Sequence, residues 1–152
     1  MGPLSILCSL QQTEVLTLSC VIKNQSDNVV HILNHSPLPY RIPNLENQVL
    51  FLWGVNRPPA DADVDSFDLP LTRALSPGEQ CSYVVPVFPM VFRDHYGTKA
   101  VATIRYPLQI QVQVAWGHSA ITAKDQARMG MGRFFAWQQL QDGPLLHLLG
   151  PG

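Results

Sequence analysis

Asp61-x-Asp63-x-Asp65, with Asp68 close behind, is the spacing in this chain that comes nearest to a metal site. Oxygen ligands at positions 1, 3 and 5 open a calcium-binding loop, because a hard cation gathers several carboxylates at once. Such a loop continues with Gly at its sixth position and a bidentate Glu at its twelfth, where this chain has Ser66 and Thr72. The EF-hand pattern is therefore broken. Residues 61–68 read as a solvated acidic loop or, for the one cofactor the pattern admits, as an irregular calcium site on Asp61, Asp63, Asp65 and Asp68.

Softer ligands are present but badly ordered. His31, His35 and His95, with Cys81 and Met90, include the residue types of a copper site on a β-sandwich. A blue-copper centre wants Cys, His and Met close together in one late loop. Met90 precedes His95, and no compact order of the three occurs. For hydrolysis there is no Gly-x-Ser-x-Gly elbow, no His-Glu-x-x-His and no Walker loop. Asp94 and His95 are adjacent, which on a strand would turn them to opposite faces. Glu14, Glu46 and Glu79 each suit a turn or the surface. No enzyme is expected.

Recognition is the chemistry the remaining residues suit best. Arg, Tyr and His side chains offer large contact area together with directional polar groups, and Arg and Tyr are enriched where binding energy concentrates. Arg41, Arg93, His95 and Tyr96 are the candidates in two loops. Phe134, Phe135 and Trp137 form a third, apolar group, suited to a partner or to a second copy of the chain. The expected function is a non-enzymatic protein-interaction module, with a metal- or ligand-binding sandwich using residues 61–68 as the competing reading. A homodimer would form through a sheet edge or the C-terminal segment.

The elements that must position these residues are strands. The chain has 152 residues, 46% hydrophobic and only 14% charged, with a formal net charge of -1. An average globular domain is about 25% charged. Scattered Lys and Arg leave no electrostatic footprint for nucleic acid or an anionic membrane, and no apolar run approaches the roughly 18 residues of a membrane span. Residues 1–8 lack a basic leader and a small-residue cleavage site, so the chain as written reads as cytoplasmic, and as secreted or periplasmic if a leader has been trimmed. Its length suits one domain, with residues 120–152 as a C-terminal extension.

Leu16, Leu18, Cys20 and Ile22 alternate with smaller or polar residues, the period of a strand with one buried face. Turn residues 24–28 and the return 29–33 predict an antiparallel hairpin. Prolines 37, 39 and 43 predict an extended connection, and Gln48–Trp53 a strand covered on both faces. Pro86 and Pro89 place the strand beginning at Tyr83 at an edge, or end it at a bulge. Lys99 to Tyr106 is a further candidate strand. Leu108, Ile110, Val112 and Val114 alternate with Gln109, Gln111 and Gln113, a strand with one wet face. Thr122 and Asp125 start a short helix that breaks by Gly130. Phe134 to Leu140 fits strand or helix, and Leu145–Leu149 is an apolar tail that must dock or meet a partner.

The fold class that follows is mainly β, a single antiparallel sandwich with at most one or two short C-terminal helices. Cys8, Cys20 and Cys81 are expected as reduced thiols, and a Cys20–Cys81 disulfide is the alternative. Val21-Ile-Lys-Asn24-Gln-Ser-Asp27 and Leu75-Ser-Pro-Gly-Glu79 resemble turns of prokaryotic immunoglobulin-like and fibronectin-type sandwiches, in the style of intracellular proteinase inhibitors of the BsuPI type. That resemblance implies an immunoglobulin-like fold and a binding role, with proteinase inhibition as one version. It carries over no catalytic residues.

Overall fold

The structure, a computed structural model, describes residues 2–33, 38–45, 47–58, 70–97, 99–100 and 102–150. Alternating strands in the first quarter of the chain build the smaller of two sheets. Strand β1 (Leu4–Gln12) pairs antiparallel with β2 (Leu16–Asn24), and β2 with β7 (Gln80–Pro86), in the order β1-β2-β7. Residues of one parity, Leu4, Ile6, Leu16, Leu18, Cys20, Ile22, Cys81 and Val85, face inward and are buried. The other parity turns Ser, Thr and Lys outward, together with the exposed Leu7 and Val84, as period two requires.

The larger sheet is built on β10 (Leu108–Gly117), whose Leu108, Ile110, Val112 and Val114 are buried. Along one edge β10 pairs with β11 (Gln139–Leu148), antiparallel. Along the other it pairs first with β5 (Gln48–Trp53), in parallel, and then at Trp116 and Gly117 with β3 (Val30–Leu33). Strand β6 (Thr72–Leu75) extends the sheet beyond β3. On the far side, β4 (Tyr40–Leu45), β8 (Phe92–Arg93) and β9 (Lys99–Ala100) follow β5. Among the described residues all strand pairs except β5–β10 are antiparallel. The two sheets enclose a core containing Phe51, Trp53, Leu18, Ile22, Ile110 and Val112. Each such side chain contributes about 2 kcal/mol on removal from water. The fold is mainly β, with two sheets and two short helices among the described residues.

Those helices, α1 (Ala123–Arg128) and α2 (Met131–Trp137), cap a second cluster of Leu33, Val55, Ala115, Ile121, Phe134 and Phe135. Helix α1 opens on a capping box in which the Thr122 hydroxyl accepts from the Asp125 amide at 3.3 Å, and the Asp125 carboxylate accepts from the Thr122 amide at 3.0 Å. It ends at Met129, where the glycines predicted a break. Among the described residues no helix is long and apolar enough to cross a membrane.

Several expectations are corrected. The hairpin of residues 16–33 does not form, because β2 has both edges filled by β1 and β7 and the turn carries the chain across to the larger sheet. Asn24, fully buried, makes that crossing. Its amide nitrogen donates to Asn28 O at 2.7 Å and Leu75 O at 2.8 Å, while its carbonyl oxygen accepts from Ser26 N at 2.9 Å and Ser26 Oγ at 2.7 Å. Tyr40–Leu45 is a strand despite Pro43, which sits at a register shift, while β8 meets β4 only at Arg41. Of Lys99 to Tyr106, strand β9 takes two residues. The apolar tail is the end of a ten-residue strand whose Leu146 and Leu148 pack on the core.

That last strand was obscured by Gly143 and Pro144, which stand opposite Val112 at a bulge. A Cβ on Gly143 would lie 2.8 Å from Ile6 Cγ2, so the close approach of β11 to β1 requires glycine. The Gln111 amide donates to Gly143 O at 3.0 Å, satisfying a carbonyl the bulge leaves out of the ladder.

Candidate functional site

The site is assembled where β4 leaves the proline-rich connection and meets β8. Strand pairing sets Arg41 directly opposite Arg93. Opposed like charges cost free energy unless something separates or neutralises them. Arg41 is partly accounted for by its own fold: its guanidinium donates to Pro89 O at 3.0 Å and to Pro86 O, and lies 5.3 Å from the centre of the Phe51 ring. Burial lowers its pKa from the ordinary guanidinium value. Its Nε is buried without a hydrogen-bond partner. Arg93 is exposed.

The turn after β8 supplies the rest. Gly97, at φ +77°, ends it in a conformation side chains rarely adopt. Within the turn the Asp94 carboxylate accepts from Tyr96 N at 3.0 Å, and the Asn56 side chain accepts from His95 N at 3.1 Å. The Tyr96 hydroxyl donates to Asn56 O at 2.7 Å. Tyr40 Oη lies 3.1 Å from His95 Nδ1, and their rings meet edge to face at 5.8 Å. Burial raises both phenols, Tyr96 to about 12 with the Asp94 charge adding to the effect, and Tyr40 against the opposing pull of Arg93. Both hydroxyls therefore stay protonated at neutral pH.

Between these elements lies an open groove of about 400 Å³, lined by Leu38, Pro39, Tyr40, Arg41, Val91, Arg93, Asp94 and His95. Leu38 and Val91 are 53% and 56% exposed and give it apolar walls. Chemically it offers the Arg41 and Arg93 guanidinium groups, the Asp94 carboxylate, an imidazole held by a phenol, and apolar surface.

The structure thus brings together Arg41 on β4, Arg93 on β8, and His95 and Tyr96 in the turn that follows, where the sequence suggests two loops. It does not bring Phe134, Phe135 and Trp137 to them as a surface. Phe134 is 0% and Phe135 7% exposed, because α2 turns them into the second core; Trp137 packs against that core and donates its indole N–H to Ser119 O at 2.8 Å. An outward-facing aromatic patch is therefore absent from these three positions. Asp61, Asp63, Asp65 and Asp68 lie outside the described residues, as does His35. Among the described residues no three His, Cys, Asp or Glu side chains are grouped to hold a metal.

Sequence reasoning missed Tyr40, Asn56, Leu38 and Val91. Tyr40 sits next to Arg41 and could have been found by extending that loop. Asn56 could not, since its partners Asp94, His95 and Tyr96 are some forty positions away. No family model matches this chain, and no curated protein or solved structure is detectably similar to it.

Proposed function

We propose that this protein is a non-enzymatic interaction module that holds an extended, acidic segment of a protein partner in the groove between β4 and β8. The observation that carries the reading is the pairing of Arg41 and Arg93 across those strands, beside the Tyr40–His95 pair. A partner carboxylate accepts charge-assisted hydrogen bonds from the exposed Arg93 guanidinium, beside the Asp94 carboxylate that lines the same groove. Leu38 and Val91 then cover the apolar flanks of the same segment. An immunoglobulin-like architecture and a proteinase-inhibitor role are versions of this proposal.

Peptide display against the immobilised full chain tests it. Enriched peptides are expected to carry Asp or Glu beside an apolar residue, and to bind Arg93→Ala and Val91→Asp at least about tenfold more weakly, one well-placed charged contact being worth at least 1.4 kcal/mol. Leu7→Asp, on the outer face of the smaller sheet, should leave them unaffected. Peptides that bind the two groove variants as well as the wild type would place the binding surface elsewhere.

A further inference from the structure

Cys8 and Cys20 stand directly opposite one another in the β1–β2 register, both on the inward parity, with their sulfur atoms 2.6 Å apart. Directly opposed residues of an antiparallel pair have Cβ atoms about 4.5–5.5 Å apart, and a disulfide is closed from about 3.5–4.5 Å. The two ranges meet, so the bond can close with little backbone movement. Cys81, by contrast, is opposite Ile22, and Cys20 has Tyr83 across from it on that side. All three are free thiols in this structure.

We propose that Cys8 and Cys20 form a dithiol site that small-molecule disulfides oxidise to an intramolecular cross-strand disulfide, covalently fastening β1 to β2. Cys8 is the entry point, being partly exposed, whereas Cys20 is fully buried. The Cys8 thiolate attacks one sulfur of an external disulfide such as oxidised glutathione. A mixed disulfide forms on Cys8, and one glutathione thiolate leaves. Cys20 then gives up its proton to solvent and attacks Cys8 Sγ, breaking the mixed disulfide and releasing the second glutathione. Two electrons pass to the external disulfide, which ends as two thiols, and the protein is oxidised by two hydrogens.

The neighbours suit this order. The contact between the two thiols lowers the Cys8 pKa, the burial of Cys8 opposing it; the same contact, followed by burial, raises Cys20. Once Cys8 carries the mixed disulfide, the larger cause of the Cys20 shift is gone. Strand β1 is otherwise tied on its outer edge by the Gln141 side chain, whose amide accepts from Leu4 N at 3.1 Å and donates to Leu4 O. Oxidation would hold the other edge covalently.

The test equilibrates the full native chain with oxidised and reduced glutathione, quenches in acid, and alkylates in denaturant with N-ethylmaleimide. The expected product is a monomer about 2 Da lighter than the reduced chain before alkylation, which then takes up one N-ethylmaleimide, on Cys81, and yields Cys8 and Cys20 in one cross-linked peptide pair. Its Tm should exceed that of the reduced chain by at least about 5 °C, as closing a loop of this size implies. Cys81→Ser should form the same bond, and Cys20→Ala should stop at glutathionylated Cys8. If Cys20→Ala fails to fold, the wild-type peptide map decides alone. Independent alkylation of Cys8 and Cys20 after oxidation, a lasting glutathione adduct on the wild type, or a bond to Cys81 or to a second chain would each overturn the proposal.

Discussion

The carboxamide of Gln138 pairs with the backbone of Val55 as a neighbouring strand would, accepting from Val55 N at 3.0 Å and donating to Val55 O at 2.9 Å. Val55 is 1% exposed, at the point where the chain leaves β5 between the groove and the second core. Without Gln138 those two backbone groups would be unpaired, and a buried unpaired group costs about 1–3 kcal/mol. Gln138→Ala should therefore lower unfolding free energy by about 2–4 kcal/mol in urea titration. Gln138→Glu keeps only an acceptor and should fall short of wild type as well. A loss below about 0.5 kcal/mol for Gln138→Ala would mean that water or a repacked side chain takes over both bonds.

Trp137 rests on a residue that has no side chain. A Cβ added to Gly117 would lie 2.0 Å from the indole ring, and Trp137 is held there by its bond to Ser119 O. Gly117→Ala should displace the ring from the second core, at a cost of about 1–3 kcal/mol or more for overpacking. Tryptophan emission should shift to longer wavelength in the folded variant, and Trp137→Phe in the same background should remove the shift. Unchanged emission and stability would show that the indole has room to move aside.

The second core is also where removal rather than addition is informative. Phe134 is fully buried and meets Phe135 edge to face at 5.3 Å, and the Arg57 guanidinium covers the Phe135 ring at 4.6 Å. Phe134→Ala should cost about 3–5 kcal/mol. Arg57→Ala, removing a cation–π contact on an exposed residue, should cost about 0.5–1 kcal/mol. Were Phe134 instead part of an association surface, its truncation would alter sedimentation and leave unfolding nearly untouched.

How far the sequence could be read depended on whether the deciding contacts were local. The alternation of Leu108 to Val114 with glutamines is a property of the strand itself, so β10 was legible, as was α1 from Thr122 and Asp125. Turn residues 24–28 look alike whether the next strand returns to the same sheet or crosses to another. What separates the two is long-range, the pairing of β2 with β1 and β7 and the bond from Asn24 to Leu75, and sequence does not display it. Phe134 and Phe135 likewise read the same whether their helix faces in or out. At the site, Arg41 and Arg93 were picked by residue type, but their pairing depends on a single bridge between short strands.

Tyr83 gives the fold a dependence on alkaline pH. Burial, and then the adjacent Cys81, raise its phenol to about 12, and its ring stacks on Trp53 at 5.3 Å. The unfolded value is about 10. A group whose folded pKa is raised stabilises the fold fully below the unfolded value, and that contribution is lost as pH rises through the folded one. Relative to Tyr83→Phe, the wild type should therefore lose stability between pH 10 and 12 and hold it below pH 10. Urea midpoints for both proteins at pH 9 and pH 11 check this. A constant difference across that interval would show that Tyr83 ionises at its ordinary value in the fold.

Asn24 is the residue on which the two sheets depend most directly. Besides its four side-chain bonds, its backbone N–H donates to Glu79 O at 2.9 Å and its carbonyl accepts from Gly78 N at 2.8 Å, so it ties β2, the 26–28 turn and the 76–79 turn together. Asn24→Leu removes every side-chain bond and should cost about 2–4 kcal/mol, since Leu75 O and Asn28 O lose their donor. Asn24→Asp keeps the shape and the acceptor for Ser26, but turns a carboxylate oxygen towards those same two carbonyls. At neutral pH it should be at least as damaging as Asn24→Leu, because a buried charge without a donor is added to the lost bonds. Denaturant midpoints for the two variants separate the contributions. If Asn24→Asp unfolded with the wild type, the backbone bonds to Glu79 and Gly78 alone would be holding the junction.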